Sequence, residues 1–173
     1  SDLVGIGKAN PPFRTKDDQD AIWEAIFDGT IDLLASDHSA RKRVTKAKPL
    51  WLAAQGFPGI AANLPVLLHE GYHKRKLPLQ RVCQLLATNP ASIFDLQPAK
   101  GRIDVGYDAD FTIVDLAKER KYVPAELGGE ADYSLYENQV LKGWPVKTIV
   151  RGVTVMDNGR IVGPGGHGKY LWR

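Results

Sequence analysis

Residues 31–35, Ile-Asp-Leu-Leu-Ala, form an almost unbroken apolar run that stops at Ser36, Asp37 and His38. The run is short enough for a strand covered on both faces. A strand of that kind needs a helix beside it, and one is encoded directly upstream. Ala21, Ile22, Ala25 and Ile26 recur at helical spacing from Asp17 onward, acids crowd the first turn, and Gly29 can close the end. Strand, helix, strand order predicts an α/β fold with parallel strands, in which polar residues at a strand's carboxyl end are where chemistry is placed.

The rest of the chain divides into two compositions. Residues 3–6 read as an earlier strand, and Asn10-Pro11-Pro12 as the rigid loop after it, because two prolines exclude regular pairing. Residues 60–70 and 79–87 carry amphipathic helical spacing, and Asn89-Pro90 predicts a third, short helix with Asn as cap. After Lys100-Gly101 the pattern turns to β: residues 111–114, 148–150 and 153–156 are rich in β-branched and apolar types. Asn158-Gly159 predicts a tight hairpin turn, and the glycines beyond residue 163 an irregular tail. A boundary falls near residue 100, and no internal repeat is evident.

Composition excludes several classes. With 43% hydrophobic and 25% charged residues, the chain reads as folded and soluble. No apolar run approaches the ~18 residues that cross a bilayer. The first residues show no signal-like pattern, so export is unsupported. Cys83, the single cysteine, lies among apolar residues and is expected to be buried in a reducing cytoplasm. The net charge of +3 gathers in residues 41–48 and 74–76, expected to be solvated surface rather than a nucleic-acid site.

Two motifs carry chemical possibilities. Asp37, ending a buried strand, requires a cation or donors, although on spacing alone a structural Asp capping the next loop fits as well. His69-Glu70-Gly71-Tyr72-His73 matches the zinc-protease pattern literally, but that chemistry needs one unbroken helix. Gly71 is expected to end the helix in a left-handed cap, which makes a solvated helix end the better reading. His167, in the glycine-rich tail, is also expected to be solvated.

The runs Lys8-Ala9-Asn10-Pro11-Pro12-Phe13-Arg14, Asp28-Gly29-Thr30-Ile31-Asp32 and Ala35-Ser36-Asp37-His38 are followed by Gly56, Gly59 and Leu64-Pro65. Thr88-Asn89-Pro90-Ala91, Lys100-Gly101-Arg102-Ile103 and Gly106-Tyr107-Asp108-Ala109-Asp110 complete the series. In that order the chain resembles the cyclic amidohydrolases, the dihydroorotase, allantoinase and hydantoinase branch of the amidohydrolase superfamily. The resemblance implies that residues 1–100 are the C-terminal part of a TIM barrel and residues 101–173 a segment of a composite β-sandwich with its tail. A barrel takes roughly 250 residues, so this chain cannot close one alone.

The resemblance further implies hydrolysis of a ring C–N bond in a cyclic amide or ureide by metal-bound hydroxide, at two zinc ions whose other ligands lie outside this chain. Asp37 would be a metal ligand and proton shuttle. Asn10 and the main chain of Gly56 would contact substrate, with a purely structural role in the loop as the alternative for Asn10. His38 fits either substrate contact or the satisfying of a nearby carboxylate, Arg41 could bind a substrate carboxylate, and Arg14 reads as an ion-pair anchor for its loop rather than a ligand. Arg41 stands where many dihydroorotases have the histidine that helps bind the substrate carboxylate. The segments 141–145 and 168–171 look closer to hydantoinases and dihydropyrimidinases. Implied partners are the small cyclic substrate, the N-terminal part of the same protein and further copies in a homo-oligomer, with no nucleic acid and no membrane. The alternative is a non-catalytic paralogue kept as a structural or partner-binding subunit. Alone, this chain is expected to hold no zinc pair and to be inactive.

Overall fold

The computed structural model describes residues 5–171, helical as far as Ile93 and dominated by an antiparallel sheet from Phe111. Helix α1 (Lys16–Asp28) is fixed at both ends by local chemistry. The Thr15 hydroxyl accepts from the Asp18 amide, the Asp18 carboxylate accepts from the Thr15 amide, and Gly29 closes the helix at φ 94°.

Residues 31–35 do not form a sheet strand, contrary to the expectation. A ladder requires a neighbour, and none lies beside them among the described residues. They are stapled to a helix instead. Leu34 N–H donates to the Leu85 carbonyl at 3.1 Å, Arg81 donates to the Ile26 and Ile31 carbonyls, and Asn89 Nδ2 donates to the Asp32 carbonyl at 2.8 Å. Of the strand expected at 3–6, residues 3 and 4 lie outside the described residues, and residues 5–7 form a turn.

Both amphipathic stretches extend further than their patterns indicate. The first is continuous through Ile60–Ala62, Asn63–Val66 and the π-helical Leu67–Lys74, so the expected stop at Gly71 is not there. Gly71 serves packing rather than capping: a Cβ would lie 3.2 Å from Leu77 and 3.3 Å from Trp23. The chain turns later, at Lys76 with φ 63°. The second stretch runs through Leu79–Cys83, Gln84–Thr88 and Asn89–Ile93, so Asn89 does not start a new helix. Pro90 follows the wide π-helical turns, where its missing amide is tolerated. Cys83 is exposed, not buried, because Val82 and Leu85 take the inner positions.

Strands β1 (Phe111–Lys121), β2 (Val140–Val150), β3 (Val153–Asp157) and β4 (Arg160–Ile161) pair antiparallel in that order. Pro145 in the central β2 sits opposite Val114, at a register shift where a residue without an amide N–H is accommodated. The hairpin turn between β3 and β4 has φ 47° at Asn158 and φ 84° at Gly159, as predicted. His167 is not solvated: its Nε2 lies 2.9 Å from the Val150 carbonyl, and the Arg151 guanidinium donates to the His167 carbonyl, docking the tail at the end of β2.

The sheet shares its core with the helices. Ile26, Leu67, Leu68, Leu77, Val82 and Leu85 are buried together, with Val114 and Leu116 of β1 packed against them. Ala62, Tyr122, Leu141 and Trp144 form a second cluster. The closest approach is at Gly143, φ 93°, where a Cβ would come within 2.8 Å of Leu68.

Candidate active site

Asp37 follows the 31–36 segment with a left-handed φ of 45°. Asp tolerates that region better than most residues, but a non-glycine there is a local cost that a fold retains for a reason. Its side chain is exposed, so the burial expected of a strand-ending carboxylate is absent here. The enclosing neighbours that would desolvate it are not among the described residues.

Three loops meet around this point. His38 and Phe57 form a parallel bridge, and Ser39 N–H donates to the Phe57 carbonyl at 3.1 Å. Gly56, at φ 80°, abuts Ser39 so closely that a Cβ would lie 2.4 Å from its Oγ. Gly56 N–H in turn donates to the Lys8 carbonyl at 3.1 Å, and Phe13 and Phe57 pack with ring centroids 5.6 Å apart. The backbone segments carrying Asn10, Asp37, His38, Arg41 and Gly56 are thereby brought together.

Their side chains are used unevenly. His38 Nδ1 accepts from the amides of Gly59 and Ile60 at 3.2 and 3.3 Å, capping the helix that starts at Ile60. With Nδ1 taken as acceptor, Nε2 is the ring nitrogen left to donate. Arg41 Nε donates to the Gln55 carbonyl at 3.1 Å, so part of its guanidinium is committed to the loop. Asn10 is exposed. Arg14 forms no ion pair among the described residues, so the anchoring expected of it is not seen.

Beside His38, a hollow is lined by Gly59 and Ile60 on one side and Pro124, Leu127 and Tyr133 on the other. Tyr133 is 1% exposed, and its hydroxyl has no hydrogen-bond partner among the described residues. Burial pushes its phenol up to about 12. Two expectations about the basic stretches fail. Lys46 is fully buried, and Arg75 is half-buried, stacked over Trp23 at 4.4 Å and paired with Glu70.

The His69 to His73 motif is engaged elsewhere. His69 Nδ1 accepts from the Lys142 amide of β2 at 3.1 Å, tying helix to sheet. Burial, then Lys74, holds its imidazole below the usual range, which favours the neutral acceptor form. Glu70 is bridged by Lys74 and Arg75, each at 2.7 Å; burial pushes its carboxyl up, but these bonds outweigh it and the net shift is downward. A carboxylate so occupied is no general base. Although the helix is unbroken, the two imidazoles do not converge on a metal set.

The metal implied by the resemblance is not held by these residues alone. Among the described residues no group of three or more His, Cys, Asp or Glu could hold an ion, and Asp37 supplies one carboxylate where a closed site needs about four ligands. Among the described residues no helix is long and apolar enough to cross a membrane. Reasoning from sequence missed Lys8, Lys46 and Tyr133. Nothing in the basic run sets Lys46 apart from Lys42 or Lys48.

A model described as "Amidohydrolase family" matches residues 9–155. The chain is 33% identical over 169 residues to the L-hydantoinase of Paenarthrobacter aurescens, covering 96% of this chain and 37% of that protein. It is 38% identical over 156 residues to the dihydroorotase of Halobacterium salinarum, covering 90% and 36%. With the allantoinase of Rubrobacter xylanophilus it shares 38% over 170 residues, covering 95% and 37%. Among solved structures, the L-hydantoinase (dihydropyrimidinase) from Arthrobacter aurescens superposes with TM-score 0.91 at 32% identity, over 99% of this chain and 40% of that one. A D-hydantoinase gives TM-score 0.90 at 30% identity, over 96% and 37%. The chain thus spans well under half the length of these relatives, and over that span it belongs to the amidohydrolase family.

Proposed function

We propose that the protein to which this chain belongs opens the ring of a cyclic amide or ureide by hydrolysing a C–N bond. The observation that carries the reading is Asp37, held in a left-handed conformation at the point where the Asn10, His38 and Gly56 loops meet. The names of its relatives, hydantoinase, dihydroorotase and allantoinase, share that reaction type. In this reading residues 1–100 complete a TIM barrel, residues 101–173 contribute to a β-sandwich, and zinc is bound largely by residues outside this segment.

Within the chain, Asp37 accepts the proton released as water attacks the ring carbonyl and returns it to the leaving nitrogen. A carboxylate in hydrogen-bond reach is suited to that transfer. Asn10 and the main chain at Gly56 orient the ring, while His38 Nε2 and the free guanidinium nitrogens of Arg41 offer donors to its oxygens. The same protein is proposed to work in the cytoplasm as a homo-oligomer.

The test is turnover by the full-length, zinc-loaded protein on dihydroorotate, allantoin, hydantoin and dihydrouracil, with the isolated 173-residue chain assayed in parallel. Hydrolysis of at least one by the full-length protein and none by the isolated chain is expected. No turnover on any, by a folded and metal-replete protein, would favour the non-catalytic paralogue.

A further inference from the structure

Lys46 has zero exposure and no carboxylate in ion-pair reach among the described residues. A buried ammonium without a counter-ion is costly, and an apolar side chain of similar length would pack there without that cost. Its Nζ donates to the carbonyls of Lys8 at 2.6 Å and Ala54 at 2.8 Å. Those acceptors belong to two different loops: Lys8 lies two residues before Asn10, and Ala54 two before Gly56. The Lys8 carbonyl also receives the Gly56 amide, so one oxygen joins both loops.

The grip is wider than one side chain. Three consecutive carbonyls are each taken by a different cation: Ala53 by Lys8 Nζ at 2.9 Å, Ala54 by Lys46, and Gln55 by Arg41 Nε at 3.1 Å. Residues 5–8 lie directly on the backbone after α2 (Arg43–Lys46), since a Cβ at Gly5 would come within 2.4 Å of the Lys46 carbonyl oxygen. Such a loop cannot shift toward or away from Asn10 without stripping a buried ammonium of its acceptors.

We infer that Lys46 is a positioning residue: its buried ammonium sets the spacing between the Asn10 and Gly56 loops, and so the geometry in which a ring is held. The inference rests on the cyclic-amide reading for its kinetic consequence, but its structural half can be read without turnover.

The experiment uses the full-length protein with Lys46→Met and Lys8→Met, followed by amide hydrogen exchange, thermal melting, and KM and kcat on whichever cyclic amide the unmutated protein hydrolyses best. For Lys46→Met we expect the Gly56 amide to exchange about tenfold faster or more and KM to rise about tenfold or more, with kcat and melting temperature nearly unchanged. Lys8→Met, which removes the Lys8 Nζ bonds to the Ala53 carbonyl at 2.9 Å and the Trp51 carbonyl at 3.5 Å, should shift exchange and KM the same way by about threefold. Unchanged Gly56 exchange in a folded Lys46→Met protein would overturn the inference. So would unchanged KM with a loss of melting temperature, the mark of a merely structural residue. If Lys46→Met does not fold, unchanged exchange and KM in Lys8→Met decide against it. A protein that hydrolyses none of the amides sinks the catalytic reading, while the exchange data still judge the brace.

Discussion

The seam between helices and sheet and the loop cluster around Asp37 are built in opposite ways. In the seam, Leu68 and Leu141 are each 1% exposed and Trp144 3%, and two polar contacts reinforce the packing, His69 with the Lys142 amide and the Trp144 indole with the Leu141 carbonyl. Around the loops, Trp51 is 88% exposed, Leu52 74% and Phe13 58%, and order comes from backbone bonds and three cations rather than from packing. Single exposed apolar side chains are ordinary, but neighbouring ones such as Trp51 and Leu52 are a feature of surfaces that another surface covers. The seam is therefore packed largely by the described residues themselves, whereas the loop cluster around Asp37, the proposed catalytic end, leaves its apolar side chains uncovered among the described residues.

The largest stability effect should come from breaking the seam. Leu68→Ala empties a filled position against Gly143 and is expected to cost about 2–5 kcal/mol, measured by denaturant unfolding of the full-length protein. A loss no larger than that of an exposed site such as Leu52→Ala would erase the contrast between the regions.

His69→Leu is next, at about 1–3 kcal/mol, because it leaves the Lys142 amide without its acceptor. The sign of its pH dependence follows from the lowered pKa. The unfolded chain protonates near the ordinary value of 6.5 while the folded imidazole stays neutral, so stability is lost as pH falls through that value toward the lowered one. Melting temperature should decline as pH falls below the ordinary histidine value in the unmutated protein, and less in His69→Leu. Equal slopes would deny His69 its role as neutral acceptor.

Which of these features the sequence reveals depends on how local their causes are. Helix α1 is legible because Thr15, Asp18 and Gly29 cap it within its own length, and the hairpin turn because Asn158-Gly159 needs nothing beyond itself. Residues 31–35 carry a strand's pattern, but pairing is a property of neighbours, and none lies beside them among the described residues. Gly71 looks like a cap and is a packing contact, a distinction set by Trp23 and Leu77 from other elements. Lys46 reads as surface because a basic run usually is, and only the tertiary path of residues 5–8 and 53–55 encloses it. Motif order singles out Asp37, Gly56 and His38 as candidates, whereas nothing in it signals the capping of the Ile60 helix by His38.

The smallest effect is expected at Tyr133. With its hydroxyl unpaired, Tyr133→Phe should change stability by no more than about 0.5 kcal/mol, since no bond is broken and no cavity of consequence appears. A marked loss of stability or turnover in the full-length protein would show that the missing part of the site, or the substrate, uses that hydroxyl.

The central claim, that the loop cluster is catalytic through Asp37, is tested most directly by kcat of the full-length Asp37→Asn protein on its best cyclic-amide substrate, with melting temperature and zinc content recorded beside it. Asn accepts the left-handed φ of 45° as readily as Asp, so the backbone should hold. The account predicts a fall in kcat of about 10²-fold to 10⁴-fold or more with the melting temperature nearly unchanged. Near-normal kcat in the variant would contradict it.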